Sequence, residues 1–535
     1  MSIIDPYEVG AKAGWSLIDA TKIVQNQASP KQVIESDVVI IGTGAGGGTT
    51  AEILSQAGLS VIMIEEGPLH TIKDFKMDEL DAYPKLYQEG MSRTTADGGI
   101  TIMQGRTVGG STTVNWTSSF RTPDATLNHW TQLGLQGFAP EDMRPWFEER
   151  EKRLGIEPWQ IPPNPNNTVL KRGCEALGWA WHVIPRNVRG CWNIGYCGMG
   201  CPTNAKQSML VTTVPEALRH GAVLYYNLRA NRLQYSGTTT QSLQCQAINP
   251  ITHQPLPTMV EVRARHYVVS ASAIGSPAVL LRSDTPDPYH LIGKRTFLHP
   301  VNATVAVMPE SIEPYKGAPQ SIYSDEFNWR DGVTGEAGFK MEVPPMFPGL
   351  SAGILGEHGQ QLADTMRQLP HVHAALSLVR DGFHEESPGG EVKLRSDGTP
   401  ELDYQVTDYL WRGLRESYLR MAELQFAAGA TKVKFLHSHS PYFSRYSEAR
   451  QWLLNKDLRI LQTRLFTAHQ MGGCAMGEDA RTAVVNSEGS HHHIDNLSVI
   501  DASIFPTSIG ANPQLSIYAM AARQATALAE KLKSA

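Results

Sequence analysis

Residues 37–48, Asp37-Val-Val-Ile-Ile-Gly-Thr-Gly-Ala-Gly-Gly-Gly48, constrain the fold of this chain more than any other segment. The β-branched run Val38–Ile41 predicts a buried strand that stops on a glycine loop. Gly42, Gly44 and Gly47 fall on G-x-G-x-x-G, with Ala45 inside it. A helical run follows through Ala51, Ile53 and Leu54 to Gly58, a natural C-terminal cap. A second short strand, Val61–Ile64, then delivers Glu65 and Glu66. Glu65 lies 23 residues after Gly42, near the spacing at which an acid meets an adenosine ribose. Glycines let the backbone approach a pyrophosphate, the helix N-terminus stabilises its charge, and the carboxylate accepts from ribose hydroxyls. Strand, loop, helix, strand and acid in this order predict a dinucleotide site. The loop alone does not name the dinucleotide.

The chain has 535 residues, too many for one core, and its length suggests two to four domains. A net charge of -6 gives no electrostatic basis for binding nucleic acid or an acidic membrane surface. No apolar run approaches the ~20 residues that span a bilayer. The start, Met1-Ser2-Ile3-Ile4-Asp5-Pro6, lacks the basic and apolar stretches of a secretory signal, so the sequence reads as cytoplasmic. Residues 1–35 read as an extension in which Ala11, Trp15, Leu17, Ile18 and Ile23 suggest a short packed helix. The triplet His491-His492-His493, between a polar turn and the strand-like Leu497–Ile500, reads as a solvated turn.

A second glycine-rich turn spans Gln104 to Asn115 and contains Arg106, Gly109, Gly110 and Ser111. With the first loop it resembles the GR-x-x-GGSS-x-x-N signature of the glucose–methanol–choline (GMC) oxidoreductases. Three later segments match that family in order. Ala271-Ser-Ala-Ile-Gly-Ser-Pro277, then Leu280-Leu281, resembles its second signature, with Ser272 where glycine is usual. His469-Gln-Met-Gly-Gly-Cys-Ala-Met-Gly477 resembles H-x-x-G-[TG]-x-x-MG. Val499–Pro506 followed by Gly510-Ala-Asn-Pro513 resembles the closing segment.

The resemblance implies FAD as cofactor. Gly42, Gly44, Ala45, Gly47, Glu65 and Glu66 would hold its ADP half, with Arg106, Gly109, Gly110, Ser111 and Asn115 along the pyrophosphate and flavin. Asp501 would reach the ribityl chain, and Asn512 and Pro513 would lie beside the isoalloxazine ring. It also implies an alcohol as small-molecule substrate. His469 would take the hydroxyl proton while hydride leaves for flavin N5, and Asn512 would orient the hydroxyl. His437 and His439 match no motif and read as structural or rim residues.

The implied fold is α/β: a Rossmann-like FAD-binding domain interleaved with an α+β antiparallel-sheet substrate domain. The FAD part would comprise 36–150, 206–296 and 462–535, and the substrate domain 297–461. Strands are expected at Val301–Val307, His371–Val379 and Glu391–Leu394, and a helix from Tyr409 to Ala428 ending at Gly429. An intervening segment, 151–205, carries Cys191, Cys197 and Cys201. Two readings of these thiols stand side by side. The spacing is similar to the three-cysteine loop of the iron–sulfur sugar dehydrogenases in the family, which implies a [3Fe-4S] centre and a cytochrome or small-subunit partner. Trp192 replaces a second adjacent cysteine there, and free or disulfide-paired structural cysteines are the other reading. Export to the periplasm with a partner subunit stays open beside the cytoplasmic reading. Cys174, Cys245 and Cys474 read as ordinary buried thiols.

The expected reaction is oxidation of an alcohol to an aldehyde or ketone by a dehydrogenase passing electrons to a quinone or cytochrome, with a hydrophobic or aromatic primary alcohol expected over a sugar. The alternatives are an oxygen-using alcohol oxidase and a hydroxynitrile-lyase-like enzyme whose FAD is not used for redox. A non-catalytic electron-transfer subunit would leave His469 and Asn512 without a reason for their positions.

Overall fold

Strand Gln32–Ile41 sits at the centre of a parallel sheet, hydrogen-bonded on one side to Val61–Ile64 and on the other to Pro255–Val269. The computed structural model describes residues 4–23 and 32–534; residues 1–3 of the start read above for a leader, and 24–31 of the extension, lie outside the described residues. All four residues Val38–Ile41 are buried, as the apolar run requires. The strand starts at Gln32, six residues before the β-branched run, because its polar first half pairs with the long strand Pro255–Val269. The sheet continues through Val223–Tyr226 to Ser16–Asp19 at one edge, both parallel. At the other edge it turns antiparallel with Thr239–Ile248 and Leu228–Ser236. Leu497–Val499 adds a short parallel strand beside Tyr267–Val269.

The N-terminal residues are thus more than an added helix. Pro6–Lys12 is helical, but Leu17 and Ile18, both half-buried, extend the cofactor sheet as part of its edge strand. Helix Ala45–Gln56 follows the glycine loop, and Gln514–Ser534 packs against it.

The second large sheet runs Ile100–Ile102, Leu465–Thr467, Val301–Val307, Val372–Val379, Phe339–Glu342, Ile322–Phe327 and His182–Val183, with Lys432–Phe435 also paired to Val301–Val307. Its pairings are antiparallel apart from Leu465–Thr467 with Ile100–Ile102. Strands from the segments read as cofactor-binding and intervening therefore complete the substrate sheet.

One face of this sheet is sealed by helix Asp408–Ala427, where Asn302 Nδ2 donates to the Leu414 carbonyl at 2.8 Å. The period-two pattern sends Val301, Ala303 and Val305 to the opposite face. There, cross-strand neighbours form two rows: Phe466, Val301, Leu378 and Lys340, then Ala303, Leu376, Glu342 and Tyr323. Both rows are apolar at one end and charged near the other. Among the described residues no helix is long and apolar enough to cross a membrane.

The histidine triplet turns at His492 and His493, both half-buried, but it is not solvated throughout. His491 is 6% exposed, and burial, aided by His493 and His492, pushes its pKa down to about 4.

Candidate active site

Gly42, Glu65 and Ser270 directly follow the C-terminal ends of three adjacent parallel strands, where an α/β sheet opens a crevice. They line a cavity of about 820 Å³ that His469 and Asn512 also line. Gly42 has φ +101°, and a Cβ there would stand 2.2 Å from the Ser270 carbonyl oxygen. The two glycine loops touch: a Cβ on Gly110, φ +54°, would come within 2.9 Å of the Gly44 Cα. Thr43, not singled out by the motif, joins them. Its hydroxyl donates to Glu65 Oε2 at 2.5 Å and accepts from the Gly109 amide at 3.0 Å.

Gly44, Ala45, Arg106, Gly110, Ser111, Asn115, Asp501, Asn512 and Pro513 also line the cavity, as do Glu65 and Glu66. Gly47 does not; a Cβ on it would lie 2.0 Å from the Gly42 carbonyl oxygen, so it serves the close packing of helix on loop. Gly109 likewise works from behind, through its bond to Thr43. Burial raises the Glu65 pKa against hydrogen bonds from Thr43 and the Gly67 amide. Burial would also raise Glu66, but Arg229 and Arg106 outweigh it and hold that carboxyl well below its usual range. Asp501 accepts from the Ser272 amide at 2.7 Å, Ser276 Oγ at 2.6 Å and the Ser503 amide at 2.8 Å. It therefore ties the middle and closing motifs together at the cavity wall.

The donor set fits an FAD. Arg106 Nη1 is buried with no partner while its residue lines the cavity near Glu66, as suits a group awaiting an anionic or polar ligand. The two apposed glycine loops leave room for a pyrophosphate where any Cβ would intrude.

His469 Nδ1 lies 3.1 Å from His299 Nδ1 with the rings at 89°. Burial and then the Lys340 charge push the His469 pKa down to about 3, so the imidazole is neutral at physiological pH. His469 is half-buried and lines the cavity.

Asn512 is 5% exposed and sits in a buried polar network absent from the sequence reading. Its Oδ1 accepts from Lys340 Nζ at 3.2 Å and its Nδ2 donates to Glu342 Oε2 at 3.2 Å. Gln320 Nε2 also donates to Glu342 Oε2, at 2.6 Å, and Ser118 Oγ donates to Gln320 Oε1 at 2.7 Å. Lys340 Nζ lies 2.8 Å from the Phe120 ring centre and 3.3 Å from Glu342 Oε1. The one legible signal was Lys340-x-Glu342 alternating with Phe339, Met341 and Val343, which puts both charges on one strand face. Such alternation usually marks a solvated face, so His299, Lys340, Glu342 and Gln320 all escaped the reading.

The cysteine loop lies beside this region but builds no metal centre. Cys191, Cys197 and Cys201 are free, and among the described residues no group of three or more His, Cys, Asp or Glu side chains could hold a metal ion. Each sulfur turns to its own local donor: the Asn193 amide for Cys191, Arg186 Nη2 for Cys197 and the Lys206 amide for Cys201. Lys206 Nζ, buried, donates to the carbonyls of Thr113 at 2.5 Å, Asn115 at 3.0 Å and Cys197 at 2.7 Å. This clamps the loop to the second glycine turn; of the two readings of these cysteines, the contacts support structural thiols and lend none to the iron–sulfur one. Cys174, Cys245 and Cys474 are buried, and His437 packs on Trp452 away from the cavity.

The GMC oxidoreductase family description matches residues 83–301 and 386–521. A long-chain-alcohol oxidase of Arabidopsis thaliana, FAO4B, is 29% identical over 508 residues; the match covers 91% of this chain and 66% of that protein's length. Pyridoxine 4-oxidase from Mesorbium loti has the same fold, with a TM-score of 0.66 at 18% identity over 91% of this chain and 98% of that one. An FAD-dependent oxidoreductase from Chaetomium thermophilum superposes with a TM-score of 0.66 at 14% identity, covering 93% of this chain and 100% of that one. Family membership, with the donor set described above, supports FAD as the cofactor. The chain is a member of the GMC oxidoreductase family.

Proposed function

We propose that this protein oxidises an alcohol bearing an apolar chain to its carbonyl compound, with His469 as base and Asn512 as hydroxyl-binding group. The single observation that carries the reading is that His469 and Asn512 line the same cavity as the two glycine loops and Glu65. FAD, when bound along the glycine loops, supplies the hydride acceptor for this chemistry. The hydroxyl proton passes to the neutral His469, which its buried, cationic surroundings keep unprotonated beforehand. The Asn512 amide binds the hydroxyl oxygen and stabilises the negative charge that grows on it. Val301, Leu376, Leu378, Phe466 and Trp116 line the same cavity and exclude water from the reacting carbon.

This apolar wall supports a hydrophobic substrate over a sugar, and the name of the Arabidopsis relative points the same way. The same name supports oxygen as electron acceptor, in place of the quinone or cytochrome expected of a dehydrogenase. An anaerobic screen of straight-chain, aromatic and sugar alcohols, followed by flavin bleaching, tests the reading; no bleaching by any alcohol would refute it and favour a lyase-like use of the site. Peroxide formed one for one with carbonyl product under air identifies the oxidase, and its absence with active dye reduction identifies the dehydrogenase.

A further inference from the structure

We propose that Lys340 and Glu342 are positioning residues: together they orient the Asn512 side-chain amide so that it meets the substrate oxygen as an N–H donor. The inference rests on the assignment of Asn512 to substrate binding.

The argument follows from what each group can do in a hydrogen bond. An ammonium has three donors and no acceptor, and an ionised carboxylate has only acceptors. Lys340 Nζ, 3.2 Å from Asn512, can therefore face only the amide oxygen, and Glu342 Oε2, 3.2 Å away, can face only the amide nitrogen. The reversed amide would set N–H against ammonium and C=O against carboxylate in a site where Lys340 is 2% exposed and Glu342 fully buried. One hydrogen of Nδ2 goes to Glu342, which leaves the second for a ligand. An asparagine held by neutral neighbours would have no such preference. The cation on Oδ1 also draws electron density from the amide and strengthens the remaining N–H as a donor to a developing alkoxide.

The pair is itself locked. Phe120 and Tyr323 flank the ammonium, with ring centres at 2.8 and 4.3 Å, and Gln320 takes the second bond of Glu342 Oε2 at 2.6 Å. Neither charged residue lines the cavity, whereas Asn512, Gln320 and Ser118 do. Lys340 and Glu342 thus act on the substrate through Asn512, from one layer behind.

The FAD-loaded wild type, Lys340→Met, Glu342→Gln, Asn512→Ala and the Lys340→Met/Asn512→Ala double variant provide the test. The first readout is binding of octanoate, an acceptor-only head group on an apolar chain, followed by the shift of the flavin absorbance. Glutamine keeps the shape of Glu342 but lets the amide turn, so octanoate should bind Glu342→Gln about 10-fold more weakly. A purely electrostatic role predicts the opposite sign, because a negative charge has been removed; tighter or unchanged binding overturns the proposal. The second readout is the anaerobic flavin-reduction rate with 1-octanol. Lys340→Met should lose about 10- to 100-fold, as for a misplaced oxyanion donor, with the substrate dissociation constant within about twofold. The same substitution in the Asn512→Ala background should cost less than about twofold. Full additivity of the two losses would show that Lys340 does not act through Asn512 and would overturn the proposal. Octanoate binding reads the amide even if no alcohol bleaches the flavin, which separates failure of this proposal from failure of the alcohol-oxidation reading.

Discussion

His299 and His469 meet nitrogen to nitrogen, Nδ1 to Nδ1 at 3.1 Å, with their rings nearly perpendicular. Two neutral imidazoles in such a contact share one hydrogen, so the tautomer of one dictates that of the other. When His469 donates from Nδ1, its Nε2 carries a lone pair and can accept a proton; His299 is then the acceptor. This is the assignment a base at His469 requires.

Removing that acceptor should therefore cost activity without touching the base itself. His299→Phe is expected to slow flavin reduction by about 10- to 100-fold, and His469→Ala by about 10²- to 10⁴-fold. FAD content, read from the absorbance of the purified proteins, should stay at the wild-type level in both. A His469→Ala enzyme that reduces its flavin at the wild-type rate would remove His469 from the base role.

The acid limb of kcat/KM should lie far below that of an ordinary histidine. Burial and Lys340 lower His469 to about 3, so the base becomes protonated, and the rate falls, only as pH drops towards that value. Lys340 is itself lowered to about 8 by burial, against the opposing pull of Glu342 and Asp325. Above that pH it loses the charge that faces Asn512, and the rate should fall again. A profile flat from about pH 5 to 7, with the alkaline limb gone in Lys340→Met, is the expected result. A limb near 6.5 in the wild type would contradict it.

Thr43 should govern cofactor retention. Its hydroxyl bridges Glu65 and Gly109, and Thr43→Val leaves both groups one bond short. Such a loss costs about 1–3 kcal/mol, which corresponds to roughly a 5- to 150-fold rise in the FAD dissociation constant. Gly110→Ala, which forces a Cβ onto Gly44, should abolish FAD binding outright. Fluorescence titration of the apoprotein with FAD measures both.

Stability should decline in mild acid. Burial lowers His266 and His373 to about 3 in the folded protein. The unfolded chain takes up those protons near the ordinary histidine value, so the stability is fully present above about pH 6.5 and is lost as pH falls towards 3. Each such proton contributes a slope of about 1.4 kcal/mol per pH unit. Asp381, raised by burial to about 6, works in the opposite direction and softens the slope. Urea midpoints at pH 7.5 and 5.0 should differ less in a His266→Gln/His373→Gln variant than in the wild type.

Iron and acid-labile sulfide should be absent from the purified protein. Changing Cys191, Cys197 and Cys201 together to serine should leave FAD content and flavin-reduction rate within about twofold, since Lys206 and Tyr87 hold the loop through backbone carbonyls. Stoichiometric iron would restore the cluster reading.

The dinucleotide half was legible because its chemistry is local. Gly42, Gly44, Glu65 and the flanking apolar runs lie within 30 residues, and the backbone that they demand is short-range. His469 and Asn512 were legible through their glycine and proline neighbours. The polar network behind them was not, because Lys340, Glu342, Gln320 and His299 become neighbours only through cross-strand register. A Lys-x-Glu in a strand reads as solvated until something covers it, and here Phe120, Tyr323 and Asn512 cover it. The cysteine cluster stayed ambiguous in the sequence for the converse reason: proximity along the chain says nothing of which way each sulfur turns.

The parallel sheet draws strands from residues 16 to 499, and helix Gln514–Ser534 closes over the helix that follows the first glycine loop. A ribosome that has made the glycine loop has not yet made the wall behind it. The cofactor cradle is consequently a late product of synthesis, and nascent chains halted before residue 497 should emerge without flavin. Loading with FAD then reports that the chain through strand Leu497–Val499 and the helix after it has been assembled.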